Sequence, residues 1–185
     1  MNNLSSEDMT EENVNYPRSE SWIRHEDRQC LQGRITRLDW LSSLMPKKEY
    51  LTFPGGWIAK HLYEEARYCF VYAQFLSSIT LGMAYVEHTL AALLFGTGRS
   101  HLERANISEL LREAVSLNWI NQEELDNIQH AKKLRNNVLH FRRPIIKGGV
   151  EYRSAERKEQ PYSILEEDAR YVMKVMFHLV DKEAV

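Results

Sequence analysis

Apolar residues recur at three- and four-residue spacings over most of this chain, and that spacing predicts α-helices. The pattern is clearest between Ile107 and Leu117 and again between Ile164 and Lys182, where the apolar positions form one stripe. The segment from Ile58 to Phe95 is predicted to be helical almost throughout, and a break near Ser77 and Ser78 is left open. The full set of predicted helices is 35–44, 58–95, 107–117, 122–141 and 164–182.

Polar residues mark where two of these helices begin. Asn106 is predicted to cap the helix that starts at Ile107. Asn121 and Glu124 have the spacing of a capping box, in which each side chain accepts a hydrogen bond from the free backbone N–H of the other residue. The start of the helix over 122–141 is therefore well defined by its sequence.

The stretch between the last two helices has a different pattern. Residues 145–146 and 150–152 are short runs containing apolar residues on either side of Lys147, Gly148 and Gly149, and this arrangement predicts a small β-hairpin. Helices joined by short connections are otherwise typical of a bundle. The sequence therefore predicts an all-α fold, a helical bundle of about four to five helices with a small hairpin between the last two.

One uncharged segment is long enough to cross a bilayer. It runs for nineteen residues from Tyr68 to Val86, close to the length of a membrane span. Gln74, Ser77 and Thr80 interrupt it, and its aromatic residues are not confined to its ends, as they would be in a membrane helix. We therefore expect a buried bundle helix and no membrane association.

The length of 185 residues favours one domain with an N-terminal tail. Residues 1–30 contain seven acidic side chains and three arginines without helical or strand periodicity, so a flexible tail is predicted there. Residues 31–57 are expected to form a short helix and an extended lead-in, and residues 58–185 to form the bundle. The net charge of −2 conceals a basic segment, because 130–159 holds nine Lys or Arg against three Glu.

Cysteine content and the first residues bear on the cellular compartment. Cys30 lies in a polar stretch and Cys69 in an apolar one, without Cys-x-x-Cys spacing, so neither a disulfide framework nor a zinc site is predicted. The first thirteen residues lack the basic and apolar regions of a signal peptide. A cytoplasmic location is expected.

The candidate chemistry lies in the run Arg135-Asn136-Asn137-Val138-Leu139-His140, near the end of a predicted helix and inside the basic segment. Together with the amphipathic helix that starts at Ile107, this run resembles the HEPN superfamily, whose members carry an Arg, four to six residues and a His near a helix end. The upstream helix carrying Glu87 is similar to the first long helix of that family, which often has an acidic residue facing the motif. The resemblance covers roughly residues 58–183.

The resemblance implies a homodimeric helical bundle that cleaves RNA without a metal or other cofactor, in a toxin–antitoxin, anti-phage or RNA-processing system. An antitoxin or another regulatory protein is then an expected partner. His140 would act as general acid or base, Arg135 would neutralise charge on the phosphate, and Asn136 would orient either group. Glu87 is a supporting residue, and the side chains expected to guide the RNA backbone are Lys132, Lys133, Arg142 and Arg143.

Helix geometry leaves more than one interpretation of the motif open. At 100° per residue Asn136 and His140 lie about 40° apart, whereas Arg135 is turned about 140° from His140, so one site requires either a curled arginine or two subunits. Arg135 and His140 could also be a helix C-terminal pair without catalysis, and a structural role for Glu87 is favoured over a catalytic one. The alternative functions are a non-catalytic module that binds RNA, nucleotide or a partner protein, and a structural dimerisation domain. Arg142 also stands where some relatives have a tyrosine that is modified, which puts control by that route in doubt.

Overall fold

The computed structural model describes residues 18–141, 143 and 145–183, and the all-α prediction is confirmed for these residues. They form seven α-helices and one short 3-10 turn, with no β-strand. The prediction of four to five helices is therefore too low. In chain order the helices are α1 (Arg18–Leu44), α2 (Gly56–Val71), α3 (Phe75–Gly96), α4 (Ile107–Ser116), α5 (Gln122–Leu139), α6 (Val150–Arg157) and α7 (Pro161–Glu183), with the 3-10 turn at Ser100–Leu102.

The long helix predicted over 58–95 is two helices, which is one source of the additional elements. The chain turns between α2 and α3 at Ala73, whose φ of 61° is left-handed. The backbone N–H of Gln74 donates to the carbonyl of Cys69 over 2.8 Å and closes the end of α2. Alanine is an unusual residue for this conformation, so the sequence gives no local sign of the turn.

The hairpin predicted between the last two helices is wrong. Residues 150–152 form the first turn of α6, and Gly149 is its N-cap residue. The backbone N–H of Gly149 donates to the carbonyl of Ile146 over 2.9 Å, which makes a tight turn before the helix. Two short runs hold too few apolar residues to stabilise an isolated pair of strands.

The N-terminal segment contains helical residues that were not predicted. Residues 18–30, which the composition assigns to a flexible tail, are helical and belong to α1, while residues 1–17 of that predicted tail lie outside the described residues. An ion pair between Arg24 and Glu20, at 2.8 Å, joins two successive turns. The short helix predicted over 35–44 is the second half of α1, and its buried residues are Arg37 and Leu41.

Helix α3 lies at the centre of the fold and packs against α2, α4, α5 and α7. Ten of its residues are buried, including Ser78 and Thr89. At Gly82 the helix approaches α7 so closely that an added Cβ would lie 2.8 Å from Met173 Cε and 2.9 Å from Val172 Cγ1. Within the described part of the chain α3 is the one helix long and apolar enough to cross a membrane, a test that a buried core helix also passes.

A buried ion pair attaches α6 to α7. Both guanidinium nitrogens at the end of the Arg153 side chain contact the carboxylate of Asp168, and the Nη1–Oδ1 distance is 2.8 Å. The Asp168 side chain is only 3% exposed. Helix α6 has no buried residue of its own. This pair is the main polar link between the two helices, since the second pair that joins them is much more exposed.

A second cluster joins the start of α5 to the end of α7. Glu124 accepts hydrogen bonds from Lys182 Nζ, at 2.9 Å, and from the backbone N–H of Asn121, at 2.7 Å. The His178 ring is also within 2.8 Å of this carboxylate. Burial alone would raise the pKa of Glu124, but these hydrogen bonds together outweigh it and lower the pKa to about 2.

We expect Arg153→Ala to lower the free energy of unfolding by about 3 kcal/mol, because it leaves the Asp168 carboxylate buried without a counter-charge. The matched control is Arg157→Ala, which removes an ion pair to Glu167 between the same two helices, with side chains 41% and 55% exposed. That exposed pair should contribute less than about 1 kcal/mol. Equal losses for the two variants in urea denaturation would contradict this interpretation.

We expect Glu124→Gln to destabilise the protein at pH 7, since the amide keeps the capping geometry but loses the ion pair with Lys182. A carboxylate with a lowered pKa stabilises the fold above its unfolded-state pKa, and that stabilisation is lost as the pH falls toward the folded-state pKa. The difference between variant and wild type should therefore shrink between about pH 4.5 and pH 2, the range between the ordinary and the lowered pKa. The control in thermal denaturation is Glu109→Gln, in the other capping box, where the same change removes no ion pair among the described residues.

Candidate functional site

Helix α5 carries most of the residues proposed from the sequence, and its position is fixed at both its start and its core face. The capping box of Asn121 and Glu124 is present, with both reciprocal hydrogen bonds formed. Ile128, Ala131 and Leu134 are buried against the rest of the bundle. The remaining faces of α5 are left for polar and charged side chains.

Arg135 lies at the edge of the buried face and pairs with Glu87 of α3. Its Nη2 donates to Glu87 Oε1 over 2.6 Å, and the two side chains are 20% and 32% exposed. The Nε–H of Arg135 is buried without a hydrogen-bond partner among the described residues. The structure thus joins two residues that were expected to lie together, and one donor of the arginine stays buried and unpaired.

His140 is the C-cap residue of α5 and lies at a different part of the surface. Its backbone N–H donates to the carbonyl of Asn136 over 3.2 Å, and its φ and ψ of −108° and 133° take the chain out of the helix. Its side chain is exposed. Since Arg135 is directed to α3 and His140 ends the helix in solvent, the geometry of one chain does not show a joint site for the two side chains.

Asn136 instead lies with Lys132 and Lys133, in a cleft between α4 and α5 with a volume of about 520 Å³. Positions 125, 129, 132 and 136 of α5 recur at spacings of four and three, so they share one face of the helix. Helix α4 supplies the opposite wall. The residues that line the cleft are Ser108, Leu111, Arg112, Val115, Leu125, Gln129, Lys132, Lys133 and Asn136.

The charge of this cleft is wholly basic. Arg112, Lys132 and Lys133 line it, and no carboxylate is among the lining residues. Lys132 Nζ donates to Ser108 Oγ over 2.6 Å, so this cation is held across the cleft by a neutral partner. The arrangement is suited to an anion such as a phosphate group.

The lysines of this cleft were predicted from the sequence, but Arg112 and Ser108 were not. Both belong to α4 and lie 23 and 27 residues before Arg135, so only the packing of α4 beside α5 brings them to Lys132. The hydrophobic stripe of α4 was recognisable, but the partner of its polar edge was not. Of the other two residues predicted to guide RNA, Arg143 is exposed after α5 and Arg142 lies outside the described residues.

Large apolar side chains are exposed at sequence positions close to His140. Leu139 is 48% exposed and Phe141 is 91% exposed, and Ile145 and Ile146 are 68% and 45% exposed. Exposed apolar residues clustered in this way commonly mark an interaction surface. Any partner that covers them would also approach His140.

Among the described residues, no group of three or more His, Cys, Asp or Glu side chains could hold a metal ion. Comparisons of the chain with protein-family models, with curated proteins and with solved structures find no match. The resemblance to the HEPN superfamily therefore remains a prediction carried by the motif and the helices around it.

We expect Glu87→Gln to lower the free energy of unfolding by about 1–2 kcal/mol, because it removes a charged hydrogen bond to the partly buried Arg135. Glu65→Gln, at an exposed position of α2, is the control and should change stability by less than about 0.5 kcal/mol. Urea denaturation at pH 7 measures both. A Glu87→Gln variant as stable as the wild type would contradict a structural role for this ion pair.

Proposed function

We propose that this protein is a metal-independent endoribonuclease of HEPN type in which His140 and Arg135 act on the scissile phosphate. The observation that carries the proposal is the placement of the motif in α5. The histidine ends the helix in solvent, and the arginine is held by Glu87 with its side chain 20% exposed. The basic cleft that contains Asn136 supports it, because it offers a binding surface for a phosphate backbone beside the motif.

In the proposed reaction the ribose 2′-oxygen attacks the neighbouring phosphorus, and the bond from phosphorus to the 5′-oxygen breaks. A 2′,3′-cyclic phosphate and a 5′-hydroxyl result. His140 removes the proton from the 2′-hydroxyl or supplies one to the leaving 5′-oxygen, a role suited to an imidazole. Arg135 donates hydrogen bonds to the phosphate oxygens as negative charge builds on them. Asn136 orients the imidazole of His140 or the guanidinium of Arg135.

A homodimer reconciles this chemistry with the separate positions of the two side chains. Since Arg135 is directed toward Glu87 of α3 and His140 ends α5 in solvent, two copies that meet at the ends of α5 would form composite sites, each with one residue from either chain. The exposed Leu139, Phe141, Ile145 and Ile146 favour such a contact, because a dimer there would cover them.

The biological setting follows from the resemblance alone. We propose a toxin or anti-phage effector that acts on RNA in the cytoplasm and is controlled by an antitoxin or another regulatory protein. The same exposed apolar surface around His140 would allow such a protein to block the site.

A non-catalytic module that binds RNA, nucleotide or a partner protein is the second candidate. It is favoured by the Arg135–Glu87 pair, because an arginine already bound to a carboxylate can be purely structural. The basic cleft would serve this function without any reaction.

Incubation of the purified protein with total RNA in EDTA distinguishes the two candidates. We expect wild type to cleave, and His140→Ala and Arg135→Ala to be slower by about 10²-fold or more, as is typical for loss of a general acid–base or a charge-stabilising group. His25→Ala, at an exposed position of α1, is the control and should cleave at the wild-type rate. Equal cleavage by all four proteins would rule out the proposed site, and no cleavage by any would favour the binding module.

A further inference from the structure

The cleft between α4 and α5 has two chemically different parts. Its apolar part consists of Leu111 and Val115 from α4 and Leu125 from α5. Its basic part consists of Arg112, Lys132 and Lys133. A ligand that fits both must itself have a flat or compact apolar portion joined to an anion.

The cations of the cleft are available to a ligand. Arg112 and Lys133 are exposed and form no ion pair with a described carboxylate. Arg99 differs, because its guanidinium is bound to Glu113 of helix α4. Lys132 is bridged only to the neutral Ser108 hydroxyl. Three positive charges kept close together without a counter-charge repel one another, and a bound anion relieves that repulsion.

The size of the cleft limits what can enter it. A volume of about 520 Å³ lies in the lower half of the range for small-molecule sites, which suits one nucleotide rather than a base pair. The bases of an RNA duplex are stacked inside the helix, so an apolar wall can contact the face of a base only where the strand is unpaired. Gln129 and Asn136 offer amide donors and acceptors at the same cleft for the edge of a base or for a ribose hydroxyl.

The cleft is also close to the motif. Asn136 belongs to both, and His140 follows it by four residues, which is about 6 Å along a helix axis. A nucleotide held beside Asn136 therefore lies about one helical turn from the backbone of His140. This proximity connects recognition of a nucleotide with the bond that would be cleaved.

We propose that the α4–α5 cleft binds one unpaired nucleotide of a single-stranded RNA, with its base against Leu111, Val115 and Leu125 and its phosphate against Arg112, Lys132 and Lys133. The inference deepens the proposed function and rests on it for the choice of RNA as the ligand. It makes unpaired RNA the substrate class and assigns α4 a part in recognition.

The test measures binding separately from cleavage. A fluorescein-labelled single-stranded RNA of twelve nucleotides is titrated, by fluorescence anisotropy, with full-length protein carrying His140→Ala, so that the probe is not consumed. The variants added to this background are Arg112→Glu, Lys133→Glu and Val115→Asn. Lys174→Glu, an exposed lysine on α7 outside the cleft, reverses the same charge and is the matched control.

We expect Arg112→Glu and Lys133→Glu each to weaken binding by about tenfold and to reduce the dependence of log K on log salt by about one unit. Lys174→Glu should bind within about twofold of the background, since a charge far from the phosphates is screened. Val115→Asn should weaken single-strand binding and leave the salt dependence unchanged, because it alters the apolar contact and no charge. A duplex of the same sequence should compete at least tenfold less well than the unlabelled single strand.

Several results would overturn the inference. One is equal weakening by Lys174→Glu and Lys133→Glu, which would indicate only general attraction of charge. Equal competition by the duplex would rule out a preference for an unpaired nucleotide. Equal competition by poly-glutamate would identify a site for acidic protein segments instead. Unchanged binding by all cleft variants would place RNA elsewhere.

The outcome is independent of the cleavage assay. If wild type cleaves RNA but the cleft variants bind it as well as the background protein does, the proposed enzyme activity is supported and the cleft is ruled out as the RNA site. If single-strand binding depends on the cleft but wild type does not cleave RNA, the inference is supported and the proposed endoribonuclease activity is ruled out. Circular dichroism of each variant confirms that a loss of binding is not a loss of fold.

Discussion

The close packing of α3 against α7 is the constraint on which the arrangement of the other helices depends. Gly82 allows the two backbones to approach until the side chains of Val172 and Met173 occupy the place of a Cβ. With α7 fixed there, α2, α4 and α5 pack on the remaining sides of α3. The position of α5 relative to α3 in turn determines that Arg135 reaches Glu87 and that a neighbouring face of α5 forms a cleft with α4. A residue with a side chain at position 82 would therefore affect surfaces far from it.

Local signals were the reliable part of the sequence. The N-cap at Asn106 and the capping box at Asn121 both form as predicted, because a cap depends on side chains within a few residues of each other and on little else. The turn at Ala73 carries no such signal, and it could not be found in a segment whose apolar pattern continues across it. In α6 the local preference was misread, since Val150 and Tyr152 alternate as in a strand while the residues after them are good helix formers.

The candidate site was also predictable from the sequence only in part. The Arg135–Glu87 pair was expected from the family resemblance, and the structure contains it. The cleft was not foreseen, because Arg112 and Lys132 are twenty residues apart and meet only through the packing of two helices. The separation of Arg135 and His140 around the helix axis was calculable from residue numbers alone, whereas the exposure of Phe141 and its apolar neighbours required a structure.

The carboxylate of Glu124 links the start of α5 to the end of α7. It caps the first turn of α5 and at the same time accepts from Lys182 in the last turn of α7. Fraying of α7 at its C-terminal end would break the ion pair, and the start of α5 would lose one of its anchors. Fraying at that end of α7 is in this way transmitted to the helix that bears the motif, through a contact at the start of α5 rather than at the motif itself.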